Sequence, residues 1–148
     1  MEAIRQASAV WEGDLLSGSG MITYVTSGAY ARLPVSWAAR TEESNGKTSP
    51  EELLASAHAS CFCMAFSSDL AKNGTPPTRL DATAVVTFEK GEAGWSVKSS
   101  AIKVTGIVSG IDAAKFAELA EGAKDGCPIS RALKGNVELS VEATLAEG

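Results

Sequence analysis

Histidine, cysteine and clustered positive charge are all scarce in this chain, and each scarcity removes a class of function. One histidine and three cysteines in 148 residues leave too few ligands at the usual spacings for a zinc module. Three is also an odd number for a disulfide framework, so core packing, metal or redox chemistry remain as uses for sulfur. Thirteen Lys and Arg stand against eighteen Asp and Glu, for a formal charge of −5, and nowhere do the cations form a row able to neutralise phosphates. Nucleic acid and anionic membranes are therefore excluded as partners. No run approaches eighteen apolar residues, and the N-terminal MEAIRQASAVWEGD lacks an apolar core behind a basic start, so the expected location is the cytoplasm.

What is present fits one domain spanning residues 1–148, with enough apolar content, 45%, to bury a core. MITYVTSG and LPVSWAAR cluster β-branched and aromatic residues between Gly, Ser and Pro breakers and predict short antiparallel strands or hairpins. At Ser49-Pro50-Glu51-Glu52 the pattern changes. A Ser N-cap, a Pro at the first helical position and a Glu three residues after the cap predict a helix start, and Asn73-Gly74 before Thr75-Pro76-Pro77 predicts its end. Leu80, Ala82, Ala84, Val86 and Phe88 recur every second residue, as in a half-buried strand. WSVKSSAIKVTGIVS follows as its hairpin partner. Asp112 caps a second helix, GCPISRALKG forms a short third, and NVELSVEATLA closes the chain as a strand. The order predicts an α+β fold of antiparallel sheets around a long buried helix, not a βαβ array.

That helix is apolar almost all round, through Leu53, Leu54, Ala55, Ala57, Ala59, Phe62, Met64, Ala65 and Phe66, and one small sheet cannot cover it. A second copy of the chain is expected to do so. At about 100° per residue, Cys61 and Cys63 point to nearly opposite faces and cannot grip one ion together. Cys63 reads as a small core hydrophobe. His58, at i−3, shares the face of Cys61 and reads as a packed, satisfied core histidine. Cys127 precedes Pro128 and so stands at an N-cap, where a helix terminus lowers a thiol pKa and favours attack or exchange; a cysteine merely tolerated at a turn is the alternative.

Ser-Pro-Glu-Glu-Leu-Leu followed by Ala-His-Ala-Ser-Cys-Phe, the later Gly-Cys-Pro-Ile-Ser, Trp11-Glu12-Gly13 and Gly110-Ile111-Asp112 together resemble the osmotically inducible protein C and organic hydroperoxide resistance (OsmC/Ohr) family. The likeness is greater to the OsmC branch. It implies an intertwined homodimer with active sites at the interface, acting on organic hydroperoxides and less well on hydrogen peroxide, without metal or bound cofactor. By resemblance Cys61 is the peroxidatic cysteine, Cys127 the resolving cysteine with which it forms a disulfide, and an external dithiol the reductant. Glu51 corresponds to the active-site glutamate and Arg40 to the arginine of the OsmC branch, whose usual Phe-Glu is here Thr41-Glu42.

Physical reasoning constrains such a site. Burial raises a thiol pKa, so a thiolate at Cys61 requires a fixed cation, which Arg40 can supply while Glu51 orients it. Ten residues of helix put Glu51 roughly 15 Å from Cys61, so both serve one site only if Glu51 and Arg40 come from the partner chain. Apolar helix side chains such as Phe62 are expected to wall the pocket. A cysteine redox sensor or a module for a small apolar ligand, without turnover, is the other reading.

Overall fold

The computed structural model describes all of residues 1–148 as mixed α and β structure in two compact units, Met1–Leu53 and Leu54–Gly148. The first unit holds β1 (Ala7–Glu12), β2 (Ser19–Val25) and β3 (Leu33–Val35) in one antiparallel sheet of order β1-β2-β3. Trp11 and Val35 pack over Gly20, where an added Cβ would lie 2.7 Å from the Trp11 ring. The stretch LPVSWAAR, expected as a strand, is strand only to Val35. Ser36 then accepts from the Ala39 amide at 3.1 Å and caps a five-residue helix α1, Trp37–Thr41. A local N-cap outweighs the β preference of the preceding Val.

Helix α2 runs Pro50–Lys72. Its start is the expected one: the Ser49 hydroxyl accepts from the Glu52 amide at 3.1 Å, and Pro50 occupies the first turn. Its end is also as expected. Gly74 adopts φ 82°, and the amides of Gly74 and Thr75 donate to Ala71 and Leu70 carbonyls, closing the helix through a left-handed residue that only glycine adopts cheaply.

In the second unit β4 (Arg79–Gly91) and β5 (Gly94–Ile107) form a long antiparallel hairpin. Leu80, Ala82 and Ala84 face the core on alternate positions. Asp112 caps α3 (Ala113–Gly126) by accepting from the Lys115 amide at 2.8 Å, and α4 spans Pro128–Leu133. The last strand, β6 (Glu138–Leu145), pairs with β5 in parallel, giving the order β4-β5-β6. This corrects the expectation of antiparallel sheets throughout. A helical crossover returns the chain to the sheet in the direction of the strand it left, and α3 with α4 is such a crossover.

The core of this unit joins the buried face of α2, at Phe62, Phe66 and Leu70, to Ile102, Val104, Phe116 and Ala120. Phe66 sits 5.5 Å from Phe62 and 4.9 Å from Phe116, ring centre to ring centre. Gly106 lets Phe116 rest on the sheet, since a Cβ there would lie 2.5 Å from the ring. Only one stripe of α2 is fully buried in the single chain. Met64 is 73% exposed, and Ser56 and Ser60 are open.

Candidate active site

Cys61 and Cys127 meet. The helical period of α2 turns Cys61 away from Cys63, and the cap of α4 holds Cys127, completely buried, with its sulfur 3.0 Å from that of Cys61. Neither is bonded. The sulfurs are about 1 Å farther apart than in a disulfide, a hydrogen-bond distance across which either can donate.

The surroundings decide which sulfur keeps the proton. Burial pushes the Cys61 thiol up, the contact with Cys127 pushes it further, and the Ile129 amide alone pulls it down. Burial acts against Cys127 as well. There it is outweighed by the contact with Cys61 and by the nearby polar groups of Ser130 and Ile129, and the thiol is lowered from its ordinary value. Within its own unit, then, the surroundings favour the proton on Cys61 over Cys127.

His58 is fully buried one helical turn before Cys61 and bonds at both nitrogens: Nδ1 with Ser100 Oγ at 2.6 Å and Nε2 with Ser130 Oγ at 2.8 Å. Burial lowers its pKa, so the ring is neutral at pH 7. The satisfied-histidine expectation matches this geometry. The two serines carried no signal in the sequence beyond the position of Ser130 one turn after Cys127. Cys63 lies apart, beside Met64, Pro77 and Leu80, its thiol raised by burial and then by the charge of Asp81.

In the first unit Arg40 and Glu51 form a two-pronged ion pair, Nε to Oε2 at 3.1 Å and Nη2 to Oε1 at 2.6 Å. Glu51 is buried. The guanidinium carbon lies 5.5 Å from the centre of the Trp37 ring, so the fork is held in its plane by the carboxylate and on its face by the indole. Trp37 thereby supplies the aromatic surface that Thr41 does not. Its signal was its position three residues before Arg40 on one helix. Beside the pair is a cavity of about 320 Å³ lined by Trp11, Leu15, Val35, Trp37, Arg40 and Pro50. Phe62, expected as a pocket wall, is instead completely buried in the core, because its place in the Phe62–Phe66–Leu70 stripe turns it toward the sheet.

Two unbonded thiols at hydrogen-bond distance, one on a long helix and one at the cap of a short helix, define a two-cysteine centre in an α+β chain. Residues 43–142 match the family described as OsmC-like protein, and the chain belongs to it. It is 39% identical over 138 residues to Peroxiredoxin OsmC of Escherichia coli, covering 93% of this chain and 95% of that one. It is 33% identical over 110 residues to Organic hydroperoxide resistance protein-like 1 of Staphylococcus epidermidis, covering 72% and 76%. The fold matches the crystal structure of the organic hydroperoxide resistance protein OhrB of Bacillus subtilis with a TM-score of 0.73 at 22% identity, over 94% of this chain and 98% of that one.

Proposed function

We propose that this chain is a peroxidase that reduces organic hydroperoxides by a two-cysteine mechanism and so detoxifies them. The observation that carries the reading is the apposition of Cys61 and Cys127 as free thiols 3.0 Å apart; the names of its relatives, peroxiredoxin and organic hydroperoxide resistance protein, support it.

The Cys61 thiolate attacks the terminal oxygen of ROOH. An S–O bond forms as the O–O bond breaks, the peroxide is reduced, and the departing alkoxide takes a proton and leaves as alcohol. Cys127 thiolate then attacks the sulfenic sulfur, forming a disulfide and releasing hydroxide, which is protonated to water. An external dithiol resets the pair by exchange and is itself oxidised to a disulfide.

Since the Cys61 environment in its own unit raises the thiol, the first step requires a cation. Arg40, already shaped by Glu51 and Trp37, is the group suited to it: its fork stabilises the sulfur and the leaving oxygen. The helical spacing of Glu51 and Cys61 supports giving that role to Arg40 of a second copy, a reading in which the homodimer is part of the reaction. The exposed Met64 and the open faces of Ser56 and Ser60 on α2 agree with a helix covered by a second chain. An apolar pocket favours organic hydroperoxides, because hydrogen peroxide gains nothing from apolar burial.

The test is titration of the reduced protein with cumene hydroperoxide, followed by peptide mass spectrometry without reduction. A Cys61–Cys127 disulfide is expected after one equivalent, with many equivalents consumed once a dithiol is supplied and a higher kcat/KM than for hydrogen peroxide. Three intact thiols would reject the reading, and consumption ending at one equivalent would leave a sensor in its place.

A further inference from the structure

Helices α3 and α4 are held in the second unit by different means. α3 buries Phe116, Ala120 and Ala123 in the apolar core. In α4 the one buried residue is Ser130; Pro128, Arg131 and Ala132 are exposed, Ile129 and Leu133 half-buried, and no side chain of the helix belongs to that core. Ser130 Oγ lies 2.8 Å from Nε2 of His58 on α2, and Nδ1 of the same ring lies 2.6 Å from Ser100 Oγ on β5. His58 and Ser100 are 0% exposed and Ser130 1%, so water replaces these bonds only if the elements part.

We propose that the His58–Ser130 hydrogen bond is the pin that docks α4 on α2 and thereby holds Cys127 against Cys61, which makes both residues positioning residues for closure of the disulfide. The proposal rests on the two-cysteine reading above and deepens its second step.

The place of Cys127 in the chain gives the pin its effect. Cys127 is both the C-cap of α3 and the N-cap of α4: its amide donates to the Ala123 carbonyl at 2.9 Å, and its carbonyl accepts from the Arg131 amide at 3.0 Å. With φ −57° and ψ 127° it leaves the helical range and forms the joint between the two helices. The core fixes the α3 side of the joint. The α4 side, and with it the direction of the thiol, follows whatever holds α4. Six residues do not make a stable helix alone, and a cavity of about 190 Å³ lined by Ser130, Lys134, Val137 and Leu139 among others leaves α4 without close packing there. A hydrogen bond between two fully buried groups supplies the hold, because parting them leaves a donor and an acceptor unsatisfied until water enters.

In the resolution step the Cys127 thiolate forms the S–S bond, the S–O bond of the Cys61 sulfenic acid breaks, and hydroxide leaves and is protonated to water. From 3.0 Å the sulfurs have about 1 Å to close. With α4 pinned, attack starts from contact. With α4 released, the sulfenic acid waits and meets a second hydroperoxide, which oxidises it to sulfinic acid and leaves as alcohol.

Alkylation of Cys127 reads the docking directly. In the Cys61→Ser chain, iodoacetamide reaches the completely buried Cys127 only when α4 parts from α2, and the half-buried Cys63 is the internal reference. Adding Ser130→Ala should speed Cys127 labelling about tenfold, the shift that one buried hydrogen bond carries, with Cys63 labelling unchanged. Ser130→Thr should restore the slow rate, and Ser100→Ala, which removes the other bond to the same ring, should leave labelling near the parent value. Unchanged labelling with Ser130→Ala, or an equal rise with Ser100→Ala, would overturn the proposal. If Ser130→Ala does not fold, the parent chain decides: below its unfolding transition Cys127 labelling should hardly respond to urea, as for a small local opening, and the steep slope of global unfolding would overturn the pin. With all three cysteines present, Ser130→Ala should form the Cys61 sulfenic acid at the wild-type rate in cumene hydroperoxide. It should then convert it to disulfide about tenfold more slowly, within the roughly 10²-fold that 1 Å of misplacement costs; equal slowing of both steps would overturn the positioning role. Failure of the wild-type protein to form a sulfenic acid would instead reject the peroxidase reading, while the labelling rates still decide the pin.

Discussion

The two units of the chain divide labour unevenly. In Leu54–Gly148 the aromatic stack Phe62, Phe66 and Phe116 lies in a continuous core with Ile102 and Val104. In Met1–Leu53 the buried residues are Val25, Ser49 and Glu51, while every residue of β1 is exposed and Trp11, Leu15, Leu16 and Tyr24 stand open. Yet the smaller unit holds the best-formed ion pair in the chain, Arg40 with Glu51. With little core, the first unit nevertheless fixes one guanidinium on two sides. The second holds two free thiols 3.0 Å apart.

The sharpest way to break this division is to remove the cation. Arg40→Met should reduce kcat/KM for cumene hydroperoxide by roughly 10²-fold, the scale of losing one preorganised donor to developing charge, and also lower the urea midpoint, because buried Glu51 loses its partner. Arg40→Lys should recover only part of the activity, since an ammonium cannot hold Glu51 with a fork while facing sulfur. Mixing Arg40→Met with Cys61→Ser chains sharpens the comparison further. If the cation acts across chains, subunit exchange generates one intact site in each mixed dimer and about a quarter of wild-type activity. No recovery would place both groups in one chain.

The converse change acts on the core. Phe66→Ala removes a completely buried ring that contacts Phe62 and Phe116, and should cost about 3–5 kcal/mol of unfolding free energy. Trp11→Ala in the first unit, at a ring 42% exposed, should cost well under half of that. Equal losses in denaturant titrations would show that the first unit has a core of its own.

Much of this arrangement was legible in the sequence because its causes are local. Ser49-Pro50 starts α2, Asp112 starts α3, Pro128 makes Cys127 a cap, and 100° per residue separates Cys61 from Cys63. Other features depend on partners distant in the chain. The parallel pairing of β6 follows from how α3 and α4 return the chain to the sheet, which alternation within β6 does not encode. Ser100 and Ser130 meet His58 across 42 and 72 residues, and no spacing rule joins them. The sequence placed Phe62 on the right helix but not on the right side, since a helix apolar all round does not announce which stripe meets the sheet. Helix α1 was hidden for another reason: five residues give almost no period to read, and only the cap at Ser36 betrays it.

The smallest effect expected belongs to the second unit alone and concerns acid. His58 is buried and neutral, and burial holds its pKa in the folded chain below the 6.5 of the free side chain. As pH falls through that value the unfolded chain takes up a proton that the folded chain refuses, so acid favours unfolding; above it neither state is charged at this ring and the effect vanishes. Stability should therefore fall by up to about 1.4 kcal/mol between about pH 7.5 and about pH 5.5 on account of this one residue. Urea unfolding of wild type and His58→Gln at both pH values isolates it, because Gln can accept from Ser100 and donate to Ser130 but cannot titrate. The wild-type protein should lose more stability on acidification than the variant. Parallel losses would mean that the folded chain admits a charged His58, and with it a solvent path to the ring beside the cysteine pair.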